Sequence, residues 1–352
     1  MQTQQANLFT KKPIIGVTGT NGKTTIVYLI DFILRNCGIK SSLVGNVGNP
    51  FIEAINDDED HETYVLELSS YQLETIEKFR PEIAIISNLT PDHLERHKTM
   101  KNYLKIKSNI YKNMTRNNKL ILNFDDEYLK MLNVDTVDTY YYSLKDEVRG
   151  IYLNNDKIVL NISEPIEILD AKELKIIGRH NIENAMASIL AANLSGCSIE
   201  CIVQGAKEFK GVEHRLEFVS EINGVSYYND SKATNPEASI IGIKAFEGVN
   251  LYAILGGSEK EVSYLELGKA IVEYNVFAIL QGSTKDEIGK VLEDLGYSRF
   301  VRLSNLLEAV NYAKNVTSAG DVVLLSPACA SFDQFDNFEH RGEVFKEYVT
   351  QK

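Results

Sequence analysis

The sequence has few cysteines, no long hydrophobic run and no excess of positive charge. Its formal net charge of −12 at pH 7 argues against nucleic-acid binding and membrane-surface binding, which both require a basic patch. No apolar run approaches the length of a transmembrane helix. The first residues are polar and contain no apolar signal-peptide core. We therefore expect a cytoplasmic protein with no nucleic-acid or membrane partner.

The four cysteines are scattered through apolar or helical segments, at Cys37, Cys197, Cys201 and Cys329. Cys197 and Cys201 have no further candidate ligands nearby, so their spacing does not favour a zinc site. We predict that the four cysteines are small core residues or reduced surface thiols.

Strand-like apolar runs alternate with amphipathic helical segments, which is typical of an α/β fold with a mainly parallel sheet. At 352 residues the chain is long enough for two domains. We predict a boundary near Gly211, with a domain over 1–211 and a second α/β domain over 212–352.

The first domain is predicted to contain strands at 14–18, 63–68, 83–88 and 119–123, then a small antiparallel β insert at 140–143, 150–153, 157–160 and 166–169. Two helices follow, at about 181–194 and 199–209. In the second domain, Asn235 and Pro236 are predicted to be the N-cap and first residue of a helix. Its predicted strands lie at 225–229, 250–255, 276–281, 299–302 and 321–326.

The strongest local signal is a glycine-rich turn between a predicted buried strand and a predicted helix, Gly19-Thr20-Asn21-Gly22-Lys23-Thr24-Thr25. In a P-loop of this kind, backbone N–H groups and the helix N-terminus cradle phosphates, Lys23 meets the terminal phosphates and Thr24 can hold Mg²⁺. Val17 stands where the longer template has its first glycine, so the short form is present. The alternative is a glycine turn that caps an ordinary helix. The pattern predicts nucleotide binding.

Polar residues follow the predicted strands, at the edge where open α/β sheets bind their ligands. Glu67 ends the second strand and His93 lies just after the third, and a carboxylate with an imidazole suits a metal or its water shell. The alternative is that Glu67 caps a helix and His93 is a turn residue. Asn46, between two glycines, also suits a plain turn. Lys107, on a predicted helix from about Met100, is by itself a solvated lysine.

Cationic and hydroxyl residues also cluster in the second domain. Arg215 follows the predicted boundary, and Asp230, Lys232 and Thr234 lie between a strand and a helix N-terminus. These residues could bind a phosphate or carboxylate. The alternative is an ordinary N-cap with a surface salt bridge. The segment 326–333 has small residues, which suit either close approach to a ligand or helix packing.

Seven segments together resemble the Mur ligases, and more narrowly the D-glutamate-adding branch of that family. The resemblance extends from about Pro13 to the C-terminus. The matching segments are 19–24, 67–73, 88–93, 178–184, 214–215, 229–235 and 326–331. The stretches Ser-Lys-Ala-Thr-Asn at 231–235 and Ser-Pro-Ala-Cys-Ala-Ser-Phe-Asp at 326–333 point to this branch rather than to relatives that add other amino acids. The resemblance implies a P-loop ATPase domain followed by a Rossmann-like C-terminal domain.

The resemblance also implies roles for individual residues. ATP would be bound by the P-loop with Asn184, Arg215 and Asp230, and two Mg²⁺ sites would be served by Thr24, Glu67, His93 and Lys107. Lys107 matches a lysine that is carbamylated in this family. The muramoyl substrate would face Asn46 and His93, and D-glutamate would lie near Lys232, Thr234, Lys260, Ser331, Phe332 and Phe338. The implied catalytic residues are Lys23, His93, Lys107, Arg215 and Lys232.

The implied reaction forms an amide during peptidoglycan precursor synthesis. A carboxylate of UDP-N-acetylmuramoyl-L-alanine would attack the γ-phosphate of ATP, and the amine of D-glutamate would then displace phosphate from the acyl phosphate. Two Mg²⁺ ions, Lys23 and Arg215 would neutralise the transferred group. We expect a monomer whose two domains close over ATP around a hinge near Gly211.

Relatives of this kind carry a further N-terminal domain that holds the UDP group, whereas here the P-loop begins at Gly19. The expectation is a truncated product, a second polypeptide that supplies the missing function, or a substrate without UDP.

Three other functions are alternatives to this ligase reaction. A two-domain ligase of the folylpolyglutamate synthase kind would act on an acceptor without UDP, but its P-loop usually reads Gly-Lys-Gly-Ser rather than Gly-Lys-Thr-Thr. An inactive nucleotide-binding relative would have no chemical reason to retain Glu67, His93, Lys107, Arg215 and Lys232. An ATPase that drives motion would need further motifs, and none is visible.

Overall fold

The computed structural model describes residues 10–55, 60–91, 94–258 and 262–351. The chain forms two compact units: the described residues up to Lys175 with Arg179–Phe209, and Ile176–Gly178 with the described residues from Lys210 onward. No helix among the described residues is long and apolar enough to cross a membrane.

The first unit is built on a sheet of nine strands in the order β2-β3-β1-β4-β5-β6-β7-β8-β9. The strands are β1 (Ile14–Thr18), β2 (Ser41–Gly45), β3 (Thr63–Glu67), β4 (Ile83–Ile86), β5 (Lys119–Asn123), β6 (Asp138–Ser143), β7 (Gly150–Asn154), β8 (Lys157–Asn161) and β9 (Pro165–Asp170). In this order, each strand from β2 through β1 to β7 pairs in parallel with the next one. The last two pairs, β7 with β8 and β8 with β9, are antiparallel. Every residue of β1, β3 and β4 is buried, as expected where helices cover both faces of a parallel sheet.

The prediction of a separate antiparallel insert was partly wrong. The four strands exist, but β6 pairs in parallel with β5, and β7 in parallel with β6. The four strands therefore continue the main sheet, and only β8 and β9 run antiparallel to their neighbours. The turn at 154–156, with positive φ at Asn155 and Asp156, forms the hairpin between β7 and β8.

The helices of the first unit cover the sheet. They are α1 (Lys23–Asn36), α2 (Phe51–Ala54), α3 (Ser70–Glu74), α4 (Leu94–His97), α5 (Met100–Ser108), α6 (Glu127–Lys130), α7 (Arg179–Leu194) and α8 (Ile199–Glu208). Helix α7 packs against α1, and its buried alanines, such as Ala187 and Ala191, allow the two helices to approach closely. Helix α1 buries Ile26, Leu29 and Ile33 at helical spacing, as the sequence predicted.

The second unit is built on a six-stranded sheet in the order β10-β11-β15-β12-β13-β14. Its strands are β10 (Glu217–Ile222), β11 (Val225–Asn229), β12 (Leu251–Leu255), β13 (Phe277–Leu280), β14 (Phe300–Arg302) and β15 (Val322–Leu325). Only β10 is antiparallel to its neighbour among these described strands. The helices are α9 (Pro236–Lys244), α10 (Leu265–Glu273), α11 (Lys285–Asp294), α12 (Leu306–Val316) and α13 (Phe338–Thr350).

Each face of this second sheet contributes to a separate hydrophobic core. On β12, Leu251, Ala253 and Leu255 pack into one core, whereas Ile254 packs into the other.

The mainly parallel α/β fold that was predicted is confirmed in both units. The predicted start of α9 is also confirmed, because the Asn235 side chain accepts a hydrogen bond from the Ala238 N–H and Pro236 is the first helical residue.

The cysteine prediction was wrong for two residues. Cys37, at the end of α1, and Cys201, in α8, form a disulfide with Cα atoms 5.6 Å apart. Cys197 and Cys329 are free and buried, as predicted.

Candidate active site

The P-loop joins the end of β1 to the first residue of α1. Gly19 and Gly22 adopt φ values of 149° and 82°, which suit glycine. A Cβ at Gly19 would lie 1.9 Å from the Ser87 Oγ, and one at Gly22 would lie 2.3 Å from the Asn184 Oδ1. Among the described residues, no side chain caps α1 at its N-terminus. Its first N–H groups therefore remain available to an anion, as in phosphate-binding helices.

The loop after β4 holds the P-loop in place. Asn88 contributes most of the contacts: its carbonyl accepts from the Thr20 N–H at 2.9 Å, its Oδ1 accepts from the Asn21 N–H at 2.8 Å, and its Nδ2 donates to the Asn21 carbonyl at 3.1 Å. Ser87 Oγ donates to that same carbonyl at 2.6 Å. Asn88 was not among the predicted site residues, although it is a polar residue that follows a predicted strand, as His93 does.

Glu67 ends β3 beside the P-loop and has only 2% of its surface exposed. Its two carboxylate oxygens accept hydrogen bonds from the Thr24 hydroxyl and the Asn46 amide, each at 2.9 Å. Ser69, not Glu67, caps helix α3, so the alternative role for Glu67 is wrong. No basic side chain among the described residues forms an ion pair with this carboxylate. A buried carboxylate without a cation, next to a P-loop hydroxyl, suits Mg²⁺.

Two lysines reach the P-loop from different helices. Lys107, on α5, is 1% exposed, and its Nζ donates to the Gly19 carbonyl at 2.7 Å. It is therefore not the solvated lysine that the residues alone suggested. Lys23 Nζ donates to the carbonyls of Thr20 and Gly19 at 2.8 and 3.1 Å. Both ammonium groups thus lie against the turn in which a phosphate is expected.

Tyr103 and His97 also belong to this site, although neither was among the predicted site residues. The Lys107 Nζ lies 4.6 Å from the centre of the Tyr103 ring. The Tyr103 hydroxyl is 3.4 Å from the Thr20 Oγ1, and the His97 ring stacks on Tyr103 with centroids 4.9 Å apart. Since Tyr103 lies four residues before Lys107, helical spacing could have identified it. No local signal marked His97.

Asn184 lies against the P-loop at Gly22 and is 6% exposed. Its Nδ2 donates to the Asn181 Oδ1 at 3.0 Å, so the two amides of α7 form a pair beside the turn. Thr25 lies in the first turn of α1. The predicted contacts of Asn184 and Thr25 with a nucleotide stay predictions. His93 and Lys260, which were also predicted site residues, lie outside the described residues.

In the second unit, Arg215 is exposed on a turn between two residues of positive φ, His214 at 61° and Leu216 at 45°. Asp230 stabilises this turn, because its Oδ1 accepts from the Leu216 N–H at 3.3 Å and its Oδ2 accepts from the Ser326 hydroxyl at 2.8 Å. Burial raises the pKa of Asp230 to about 7, against the opposing effects of the Ser326 and Leu216 hydrogen bonds and the Arg215 charge. The carboxylate lies inside the unit, where it orients the backbone next to Arg215.

Apart from Lys260, the residues predicted to bind the amino acid lie on three segments of the second unit. The segments follow β11, follow β15 and begin α13. Lys232 Nζ lies 5.8 Å from the ring centre of Phe338, and Ser231 Oγ donates to the Phe338 carbonyl at 2.7 Å. Ser331 is buried, whereas Phe332 is 73% exposed. The exposed Phe332 ring and the exposed Lys232 side chain leave apolar and cationic surface available to a ligand.

Comparison with known proteins agrees with this arrangement. The Mur ligase middle domain matches residues 17–192, and the Mur ligase glutamate ligase domain matches residues 214–329. UDP-N-acetylmuramoylalanine–D-glutamate ligases from Lachnoclostridium phytofermentans and Thermoanaerobacter pseudethanolicus are 39% and 42% identical over 99% of this chain. The chain spans 77% and 78% of their lengths.

Solved structures show the same fold at lower identity. MurF from Acinetobacter baumannii is 16% identical and superposes with a TM-score of 0.71 over 99% of this chain and 79% of its own. MurF from Thermotoga maritima, solved with ADP, is 18% identical, with a TM-score of 0.64 over 99% of this chain and 82% of its own. Together with the two domain matches and the curated relatives, these similarities show that the chain belongs to the Mur ligase family.

Proposed function

We propose that this protein is an ATP-dependent ligase that joins D-glutamate to UDP-N-acetylmuramoyl-L-alanine in peptidoglycan precursor synthesis. The observation that carries the proposal is the similarity, over 99% of the chain, to relatives named for this reaction. Its partners would be small molecules: ATP, D-glutamate and the acceptor. We propose a cytoplasmic location, where ATP is available.

In the proposed first step, the acceptor carboxylate attacks the γ-phosphate of ATP and gives an acyl phosphate and ADP. Lys23 and the N–H groups at the start of α1 neutralise the phosphate oxygens. To do so, the Lys23 ammonium exchanges its hydrogen bonds to the carbonyls of Gly19 and Thr20 for bonds to phosphate oxygens. We propose Arg215 as a second cation for the γ-phosphate.

Thr24 and Glu67 would hold Mg²⁺, with His93 as a further proposed ligand. When bound, Mg²⁺ supplies positive charge to the transferred phosphoryl group. Asn46 keeps the Glu67 carboxylate oriented toward Thr24, because both hydrogen bonds end on that one group. We propose that Asn46 also contacts the muramoyl substrate.

We propose that Lys107 is carbamylated. Its amine would add CO₂ to form an N-carboxylate and release one proton, which converts a buried cation into an anionic oxygen ligand for a second Mg²⁺. A buried ammonium ion is costly, and the neutral amine is the form that reacts with CO₂.

In the proposed second step, the amine of D-glutamate attacks the acyl phosphate carbon, the amide bond forms and phosphate leaves. The two carboxylates of D-glutamate suit the charge of Lys232, with Thr234, Lys260 and Ser331 as hydrogen-bond donors. Phe332 and Phe338 would contact the methylene groups of the amino acid.

The decisive experiment measures phosphate release with ATP and D-glutamate, with and without UDP-N-acetylmuramoyl-L-alanine. We expect release only when all three are present, together with a product heavier than the acceptor by one glutamyl residue. Lys23→Ala should lower the rate at least about 100-fold, as expected for loss of a transition-state charge contact. Lys40→Ala, which changes an exposed lysine, is the matched control.

Two further acceptors distinguish the alternatives. Activity on muramoyl-alanine without UDP would keep the ligase reaction and change the acceptor. Activity only on a folate acceptor would contradict the proposal, as would phosphate release that is independent of any acceptor.

A further inference from the structure

Arg341 is the largest fully buried side chain of the described residues, with 0% of its surface exposed. It lies on α13, less than one turn after Phe338. No carboxylate among the described residues forms an ion pair with it. Burying an arginine without a carboxylate partner costs folding free energy, so we ask what the Arg341 side chain contributes to the protein.

The hydrogen bonds of Arg341 connect two loops. Its Nε donates to the Ser231 Oγ at 2.9 Å, and its Nη2 donates to the Ser231 carbonyl at 2.8 Å. Its Nη1 donates to the carbonyls of Cys329 and Ala330 at 3.1 and 3.0 Å. The planar guanidinium therefore fixes the loop after β11 and the loop after β15 at one separation.

Both loops carry residues that the proposed function assigns to D-glutamate. Ser231 directly precedes Lys232, and Ala330 directly precedes Ser331. The Ser231 hydroxyl, which accepts from Arg341, donates in turn to the Phe338 carbonyl at 2.7 Å. Arg341 and the Ser231 hydroxyl thus connect the three described segments that were predicted to contact the amino acid.

The charge of Arg341 is also relevant. Burial lowers the pKa of its guanidinium to about 10, so the group remains cationic at neutral pH. The carbonyls that Arg341 contacts are neutral, and the Asp333 carboxylate, which stabilises the cation electrostatically, forms no ion pair with it. A low-dielectric interior extends the influence of that charge to a nearby anion.

We propose that Arg341 is a positioning residue for the amino-acid substrate: it fixes the loops of Lys232 and Ser331 and favours a dianionic amino acid through its buried charge. This inference rests on the proposed function, because it assumes that the two loops bind D-glutamate. Arg341 acts through these loops and is not proposed to touch the substrate.

Three variants test the proposal in the full chain. Ser231→Ala removes two hydrogen bonds of the Ser231 hydroxyl, the one that it accepts from Arg341 and the one that it donates to the Phe338 carbonyl. Arg341→Lys keeps the charge without the planar guanidinium that joins the two loops, and Arg341→Met removes both the charge and that connection. Arg302→Lys is the control, because Arg302 is a partly exposed arginine of the same unit that pairs with Asp286 and Glu293. For each variant we would measure the KM for D-glutamate and for ATP, the melting temperature, and ADP formation in a single turnover without D-glutamate.

We expect Ser231→Ala to raise the KM for D-glutamate about tenfold, because the loops of Lys232 and Ser331 lose the Ser231 hydrogen bonds to Arg341 and to the Phe338 carbonyl. Arg341→Lys should raise it further, and Arg341→Met most of all. The KM for ATP and the single-turnover rate should stay within about twofold of the parent values, because the first step does not use the amino acid.

The proposal is overturned if the KM values for ATP and D-glutamate rise together, or if D-glutamate binding is unchanged in Ser231→Ala and Arg341→Met. If the Arg341 variants fail to fold, the Ser231→Ala result decides. If the parent protein shows no acceptor-dependent turnover, the proposed function itself fails, and that outcome is separate from any difference among the variants.

Discussion

Glu67 and Asp230 are both buried carboxylates at strand ends, but their surroundings differ. Glu67 accepts hydrogen bonds from two side chains that point toward the P-loop, Thr24 and Asn46. Asp230 accepts from the Leu216 N–H and the Ser326 hydroxyl inside its own unit. Hence the Glu67 carboxylate is fixed beside the P-loop, whereas Asp230 holds the turn that carries Arg215. This difference depends on tertiary contacts, which the sequence does not display.

The raised pKa of Asp230 predicts a pH-dependent stability. The folded chain holds the proton up to about pH 7, whereas an ordinary aspartate releases it near pH 4. The folded state therefore binds more protons in this window, and the stabilisation is present below about pH 4 and lost as the pH rises through 7. Relative to Asp230→Asn, the parent should lose about 2–4 kcal/mol of unfolding free energy between pH 5 and pH 8.

Urea unfolding of both proteins at several pH values measures this difference. Asp286→Asn is the control, because Asp286 is exposed and its removal should leave the curve parallel to that of the parent. Parallel curves for Asp230→Asn and the parent would contradict a buried, protonated carboxyl.

The proposed carbamate of Lys107 makes a second prediction at the residue scale. We expect ¹³CO₂ to label the parent chain at one lysine, seen as a carbamate signal by ¹³C NMR. Activity should fall when bicarbonate is removed and recover when it is returned. Lys107→Ala should lose the signal and most of the activity, because Lys107 is the one lysine that is buried among the described residues.

Lys105→Ala is the matched control for this experiment. Lys105 is an exposed lysine on the same helix, so its variant should keep both the signal and the bicarbonate dependence. A parent protein whose activity is insensitive to bicarbonate, and whose spectrum shows no carbamate, would refute the assignment.

Among the elements, strands with continuous apolar runs could be predicted from sequence. The bounds of β1 and β5 agree with the prediction, because aliphatic residues fill most of their positions. The bounds of β11 agree as well, although two tyrosines and one valine supply its hydrophobic residues. Two strands were missed, β2 and β10. Strand β2 begins with two serines, and Ser41 is satisfied by the Asp31 carboxylate of α1 at 2.6 Å. Strand β10 is a sheet edge with a bulge between Phe218 and Ser220, so its pattern is irregular.

The residues of the candidate site also differ in how far they could be predicted from the sequence. The P-loop and Glu67 belong to local motifs, and the structure brings them together at the ends of β1 and β3. Lys107 was identified only through the family resemblance, and its contact with Gly19 depends on the fold. Asn88 and Arg341 bind residues that lie 67 and 110 positions away in the sequence, and His97 stacks on Tyr103. No single stretch of sequence displays such contacts. Sequence motifs therefore identify groups that meet a ligand more readily than groups that hold those residues in place.

At the scale of the whole molecule, the Cys37–Cys201 disulfide connects two distant parts of the sequence. It joins α1, which begins at the P-loop, to α8 across a sequence separation of 164 residues. The scattered cysteines gave no sign of this pairing, because it depends on how α8 packs against α1. In the unfolded chain such a cross-link removes conformational entropy, which stabilises the fold by about 5 kcal/mol in the chain-entropy account.

We predict that the chain purified without reductant exposes two thiols on denaturation, those of Cys197 and Cys329, and four after reduction. Alkylation followed by mass spectrometry counts them. The oxidised protein should unfold at a higher urea concentration than the reduced one, and Cys37→Ser should abolish that difference. Cys197→Ser should leave it intact, because Cys197 is a buried free thiol. Four thiols in the unreduced chain would show that α1 and α8 are held together by packing alone.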